Sequence, residues 1–219
     1  TRQVYYYQRF VDDIVVFTTR EPEDVIDILS QKLTPIGLRL NSAKTVSICE
    51  SLTVAGQFSY LGYAFKRRLV FNNKGRFKGQ EVDVSVTISE AKIERLRQRI
   101  TESFSCYYSD GNWINLRDRL KVLTGNYSIM KSAHEAPIKT GIYFNYMEIT
   151  DTSQLAELDG LLRSRLVALR SYLIRHGRLS LVPRIRDMFR YSFQNGFSSR
   201  VIHRISQQRI SQIASVWSE

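Results

Sequence analysis

Across 219 residues the chain carries 32 Lys and Arg against 21 Asp and Glu, a net charge of +11. Hydrophobic residues at 43% and aromatic residues at 11% exclude a disordered chain, and the charge points to a polyanionic partner, nucleic acid before an anionic membrane or an acidic protein. Two isolated cysteines, Cys49 and Cys106, and three scattered histidines exclude a disulfide framework and a zinc motif, which fits a reducing, cytoplasmic setting, and no apolar run approaches the ~20 residues of a membrane span.

In chain order, the first 87 residues read as mixed β and α. A hairpin is predicted first, with strands over 3–10 and 14–18 and Asp12 and Asp13 at its turn. Pro22 then opens a helix to about Leu33, with Glu21, Glu23 and Asp24 favouring its positive end and Pro35 and Gly37 stopping it. Val25, Ile28 and Leu29 supply its apolar stripe. A strand is predicted over Thr45-Val46-Ser47-Ile48. Another hairpin follows, from Gln57 to Phe65, turning at Lys66-Arg67-Arg68 and returning over Leu69 to Phe71. Glu81 to Thr87 alternates Val82, Val84 and Val86 as a strand does.

The character changes near Thr87. Thr87-Ile88-Ser89-Glu90 matches a capping box with Thr87 as N-cap. Helices are predicted over about 89–105, 113–124, 153–175, 183–194 and 198–217, with a less regular stretch around Pro137 to Tyr146. The clearest is the third, where Leu155, Leu158, Leu162, Leu166, Leu169 and Leu173 form one stripe. Thr152 or Ser153 is expected to cap it and Gly177 to end it. The expected class is α+β, with β-hairpins over 1–87 followed by a mostly helical unit over 88–219.

Phe10-Val11-Asp12-Asp13 carries the most chemistry. Adjacent carboxylates between β-forming runs, Val4-Tyr5-Tyr6-Tyr7 and Ile14-Val15-Val16-Phe17, offer hard oxygen ligands on a rigid hairpin. Mg2+ suits such a pair, because it takes one or two carboxylates and fills its shell with water and substrate phosphates. An Asp-Asp pair alone is more often a polar turn; its surroundings distinguish this one.

Arg9-Phe10-Val11-Asp12-Asp13-Ile14-Val15-Val16-Phe17 resembles the aromatic-x-Asp-Asp hairpin of reverse transcriptases. In the family's order, Gly37-Leu38-Arg39-Leu40-Asn41-Ser42-Ala43-Lys44-Thr45 resembles the fourth palm motif of retron and group II intron enzymes. Phe58-Ser59-Tyr60-Leu61-Gly62-Tyr63-Ala64-Phe65 then resembles the primer-grip hairpin. The three matches cover roughly the first third of the chain; the helical remainder resembles a thumb and C-terminal extension by position and composition only. Phe10 departs from the family's usual Tyr, which keeps the ring and loses the hydroxyl. Val11 favours reverse transcriptases over viral RNA-dependent RNA polymerases, which more often carry Gly there.

The resemblance implies RNA-directed DNA synthesis, with Asp12 and Asp13 as catalytic metal ligands for two Mg2+ ions, or Mn2+ in their place. It implies that Lys44 orients or protonates the departing pyrophosphate. Phe10, Tyr60, Leu61, Gly62 and Tyr63 would contact the primer or template. Lys92, Arg95 and Arg99 share one face of the first predicted thumb helix, where they could track a duplex backbone. Lys66, Arg67 and Arg68, with Lys74, Arg76 and Lys78, extend the basic surface, as do Arg184, Arg186, Arg190, Arg200, Arg204 and Arg209. The implied partners are an RNA template, a DNA primer or product and deoxynucleoside triphosphates, with a non-coding RNA or an oligomeric partner beyond them.

No maturase-like zinc or endonuclease motif follows, which disfavours the intron type; a bacterial antiviral defence enzyme is the favoured relative. The family's first palm motif, with a further metal-binding Asp, and its second have no match here and are expected upstream of Thr1. The 219 residues alone are therefore expected not to polymerise. Two rivals remain open: a catalytically inactive palm and thumb kept as an RNA- or DNA-binding scaffold, and a basic helical interaction domain with incidental hairpins.

Overall fold

The structure, a computed structural model, describes residues 4–48, 56–72, 79–129 and 136–217. It is an α+β chain with small sheets. Its residues divide into two compact units, Thr1–Leu61 with Phe65–Val84 and Gly62–Ala64 with Ser85–Glu219. The cut falls three residues before the predicted change at Thr87, and it gives the short segment after Leu61 to the second unit. No described helix is long and apolar enough to cross a membrane.

The first unit begins with β1 (Val4–Phe10) and β2 (Asp13–Thr18), an antiparallel pair in the register Phe10↔Asp13, Arg9↔Ile14, Gln8↔Val15, Tyr7↔Val16 and Tyr6↔Phe17. Helix α1 (Pro22–Leu33) follows as predicted, with Pro22 in its first turn beside Glu23 and Asp24. A single 3-10 turn over Thr34–Ile36 ends at Gly37, whose φ of 76° is left-handed.

The strand predicted over Thr45–Ile48 is absent; these residues are irregular and exposed. Asn41 diverts the backbone just before them. Its carbonyl accepts from the amides of Lys44 (3.0 Å) and Thr45 (2.9 Å), and its side chain accepts from the Ala43 amide at 3.1 Å. This local turn competes with extended pairing.

Strands β3 (Gln57–Tyr60), β4 (Tyr63–Asn72) and β5 (Gly79–Ile88) form a sheet in that order. The predicted turn at Lys66-Arg67-Arg68 is not there. The chain reverses at Leu61 and Gly62, with φ of 51° and 84°, the sign pattern of a type I′ hairpin turn. Gly62 takes the second position without steric cost, so Lys66 and Arg67 fall inside a strand, and the Arg67 amide donates to the Gly56 carbonyl at 2.8 Å. Lys74, Arg76 and Lys78, like Cys49, lie outside the described residues.

The second unit is built on three helices, α2 (Glu90–Asp110), α3 (Trp113–Thr124) and, further on, α5 (Ser153–Arg175). Ile93, Leu96, Ile100, Phe104 and Tyr107 of α2 recur at helical spacing and are buried against Leu116, Leu120 and Leu123 of α3 and the predicted leucine stripe of α5. Thr87 does not cap α2. It is still in β5, with its hydroxyl directed at the Ala64 carbonyl, and Ser89 is the N-cap, without a side-chain hydrogen bond. At the start of α5, Thr152 is the N-cap residue and Asp151 accepts from the Ser153 amide at 2.9 Å.

Between α3 and α5 the chain forms β6 (Asn126–Ile129), β7 (Ile138–Gly141) and α4 (Ile142–Tyr146). After α5 come α6 (Val182–Met188), α7 (Phe193–Ser199), β8 (Ile202–Arg204) and α8 (Gln207–Ala214). The two last predicted helices are thus broken into four elements. Arg200, left-handed at φ 55°, ends α7 and releases the chain into β8, which lies parallel to β6 while β7 lies antiparallel.

Side chains lock this arrangement. Buried Asn126 donates to the Gly196 carbonyl at 2.8 Å and accepts from the Tyr143 amide at 2.8 Å. Gly196 sits so close to α3 that a Cβ there would overlap the Thr124 carbonyl oxygen. Buried Asp159 accepts from the Ser192 hydroxyl (2.7 Å) and the amides of Phe193 (2.6 Å) and Gln194 (3.3 Å), so a carboxylate of α5 caps α7.

Candidate functional site

The β1–β2 turn places the carboxylate pair. Val11 and Asp12 are its two residues, and Asp13 opens β2 opposite Phe10. Val11 has φ 56°, a conformation that clashes with a β-branched side chain and costs about 1–3 kcal/mol. The Arg9 guanidinium helps to hold it, donating from Nε to the Val11 carbonyl at 2.6 Å. The consequence is a tight reversal that exposes both Asp12 and Asp13. Neither carboxylate makes an ion pair or hydrogen bond with a described residue.

Strand alternation then sorts the neighbours. From the register, Asp13, Phe10, Gln8, Val15, Tyr6 and Phe17 share one face of the hairpin. Phe17 lies 5.7 Å from Tyr6 and 6.0 Å edge-on from Phe58 of β3, and Phe58 stacks on Phe65 of β4 at 4.8 Å. Tyr60, two residues beyond Phe58, shares its face. The Tyr60 hydroxyl is buried without a hydrogen-bond partner among the described residues, and its pKa is raised by burial, then by the charge of Asp13 and by Tyr6. An aromatic ladder therefore brings the second hairpin up to the Asp13 face, joining two motifs more than forty residues apart in the chain. The hairpin alternation contained this signal; the pairing of Phe17 with Phe58 was not readable from it.

The other predicted residues are distributed more loosely. Phe10 is exposed at the turn, and Lys44 is exposed on the irregular segment, without an ion pair to Asp12 or Asp13. Leu61 is exposed at the second turn. In the second unit, the Gly62 carbonyl accepts from the Ser89 amide at 3.0 Å, and a Cβ on Gly62 would meet the Lys92 stem at 3.4 Å. The Tyr63 hydroxyl donates to the Asn145 carbonyl at 3.2 Å, and burial raises its pKa. Lys92 and Arg95 are exposed on α2. Arg99 is half-buried instead, its guanidinium 5.4 Å from the Trp217 ring centre and its Nε without an acceptor among the described residues, so it serves packing more than an open basic face.

The donor chemistry of Asp12 and Asp13, two exposed hard-oxygen ligands on a tight turn, fits Mg2+ or Mn2+. Among the described residues no cluster of three acidic, His or Cys side chains forms. Comparison of the chain with family models, with curated proteins and with solved structures gave no match.

Proposed function

We propose that the chain is the later palm and the thumb of an RNA-directed DNA polymerase of bacterial reverse-transcriptase type, a cytoplasmic nucleotidyltransferase of antiviral defence. The observation that carries this reading is the Val11 turn. A two-residue hairpin turn asks for positive φ, but a β-branched residue at φ 56° is a costly choice for it, and strain of this kind is retained where a site needs the geometry it enforces. Here that geometry exposes two adjacent carboxylates.

Bound Mg2+ or Mn2+ would supply Lewis acidity toward the attacking 3′-hydroxyl and the leaving pyrophosphate. The tight two-stranded turn presents the Asp12 and Asp13 oxygens together, which limits reorganisation when substrate binds. The Asp13 face carries the aromatic ladder, so Tyr60 and Leu61 of the second hairpin can set the primer end against the carboxylates by contacts to its backbone. Exposed Lys44 would offer a positive charge to the pyrophosphate. The reading requires at least one further carboxylate from sequence beyond these 219 residues, and the isolated chain is proposed to be inactive.

The test is incorporation of labelled deoxynucleotides by the intact polypeptide that contains this chain, on an RNA template with a DNA primer. Synthesis is expected with Mg2+, none with excess chelator, and none from the 219 residues alone. Tight binding of RNA or DNA with no synthesis under any metal would favour the inactive scaffold, which uses the same net charge of +11 and asks nothing of Asp12 and Asp13.

A further inference from the structure

Two concave sites open on opposite ends of one stripe of α3. One, of about 300 Å3, is lined by Arg117, Asp118 and Lys121 of α3 and by Arg204, Ser206 and Arg209 around the start of α8. The other, of about 390 Å3, is lined by Trp113, Ile114 and Arg117 of α3 and by Arg184, Arg190 and Tyr191 on and after α6. Arg117 belongs to both, so they adjoin. Trp113, Arg117 and Lys121 recur every four residues, one helix face about 12 Å long.

The charge of this face is one-sided. Six cations, Arg117, Lys121, Arg184, Arg190, Arg204 and Arg209, surround two carboxylates, Asp118 and Asp187. Asp118 is already engaged, by Arg117 at 2.9 Å and by Arg209 at 2.7 Å. Lys121, Arg184 and Arg204 have no carboxylate partner among the described residues. Unpaired cations held together on a folded surface repel one another, a cost that an anion bound between them removes.

The two ends differ in chemistry. The α8 end is ionic and suits phosphate. The α6 end adds two half-buried rings, Trp113, braced edge-on by Tyr107 at 6.0 Å, and Tyr191, with the Arg190 guanidinium 5.8 Å from its ring centre. Rings and guanidinium planes beside a run of cations are what unpaired bases stack on, whereas a duplex hides its base faces. Concave sites of nucleotide size also suit a flexible strand better than the convex outside of a duplex.

We infer that the α3 stripe from Trp113 to Lys121 binds a single-stranded nucleic acid, with bases on the Trp113 and Tyr191 side and phosphates on the Lys121 and Arg204 side. This site is separate from the carboxylate turn and shares with the polymerase reading only the class of partner; synthesis by the intact protein and binding here can fail independently.

The chain has two tryptophans, so Trp217→Phe leaves Trp113 as the sole indole fluorophore. The 219-residue chain carrying this change is titrated with a 12-nucleotide RNA, the DNA of the same sequence, its duplex, and heparin as a polyanion without bases. Quenching of Trp113 emission by either single strand is expected, and which strand binds more tightly identifies the ligand as RNA or DNA. Lys121→Glu with Arg204→Glu should weaken single-strand binding at least tenfold and flatten its salt dependence by about 0.7 per lost contact. Thermal melting verifies folding, and Lys121→Gln with Arg204→Gln serves if the charge reversal does not fold. No quenching by either strand, equal quenching by heparin, equally tight binding of the duplex, or an affinity unchanged in the double variants would overturn the inference. Binding only of an acidic peptide would do the same.

Discussion

The two units bury their side chains to opposite degrees. No described side chain of the first unit is buried, and Tyr5, Tyr7, Phe10 and Val11 are each more than half exposed. The second unit encloses Phe104, Tyr107 and the full leucine stripe of α5 at 1% exposure or less. Burial at roughly 25 cal/mol per Å2 stabilises the second unit from within. The first is shaped instead by local devices: a strained turn clamped by Arg9, an Asn41 turn, and a ladder of four rings. The candidate carboxylates sit on the element with the least interior support, where position depends on turn geometry rather than on packing.

Several substitutions sharpen this contrast. Gly196→Ala should have the largest effect, because the new methyl overlaps the Thr124 carbonyl; a loss of about 4 kcal/mol or more is expected in urea unfolding of the second unit. Stability within about 1 kcal/mol of wild type would mean that α3 and α7 can separate freely. Asp159→Ala removes three hydrogen bonds from a buried carboxylate and should cost about 3 kcal/mol, with hydrogen exchange rising across α7 before α5.

In the first unit the expected effects are smaller. Phe58→Ala breaks the ladder and should cost about 1–2 kcal/mol, read as faster exchange in β1 and β2 with α5 unchanged. Val11→Gly works in the other direction. It relieves the left-handed valine and should stabilise the hairpin by about 1 kcal/mol, a net of relieved strain and added chain entropy; destabilisation would deny that the turn is strained.

The smallest effect is electrostatic. Burial, and then the Lys121 charge, lower the His203 pKa below its ordinary 6.5. Protonation is thus disfavoured in the folded state, so this contribution is complete above pH ~6.5 and is lost as pH falls from there through the lowered value. Lys121→Gln should make the fall in urea midpoint between pH 7.5 and 5.5 shallower; an identical slope would remove Lys121 from the cause.

The sequence was most legible where one face had to be buried. Helices over 113–124 and 153–175 coincide with α3 and α5 because leucine periodicity and core packing agree. It was least legible after Val182, where a basic, evenly polar stretch carries weak periodicity and tertiary contacts decide: Asp159 starts α7, and pairing with β6 makes Ile202–Arg204 a strand. The second hairpin was misread because Lys66-Arg67-Arg68 looks like a polar turn, although Gly62 is the residue a type I′ turn selects. The Asp12–Asp13 tip was legible from its flanking strands. Its strain was not, since the same residues could have formed a longer, relaxed loop.

The role of Asp12 is tested most directly by deoxynucleotide incorporation by the intact polypeptide, wild type against Asp12→Asn, at saturating Mg2+. The side chain is exposed and without a hydrogen-bond partner among the described residues, so the change should leave the thermal midpoint and single-strand binding as they were. Incorporation is expected to fall at least a thousandfold, a loss of about 4 kcal/mol in transition-state stabilisation. Incorporation within a fewfold of wild type would contradict the assignment of this turn as the metal-holding element of a polymerase.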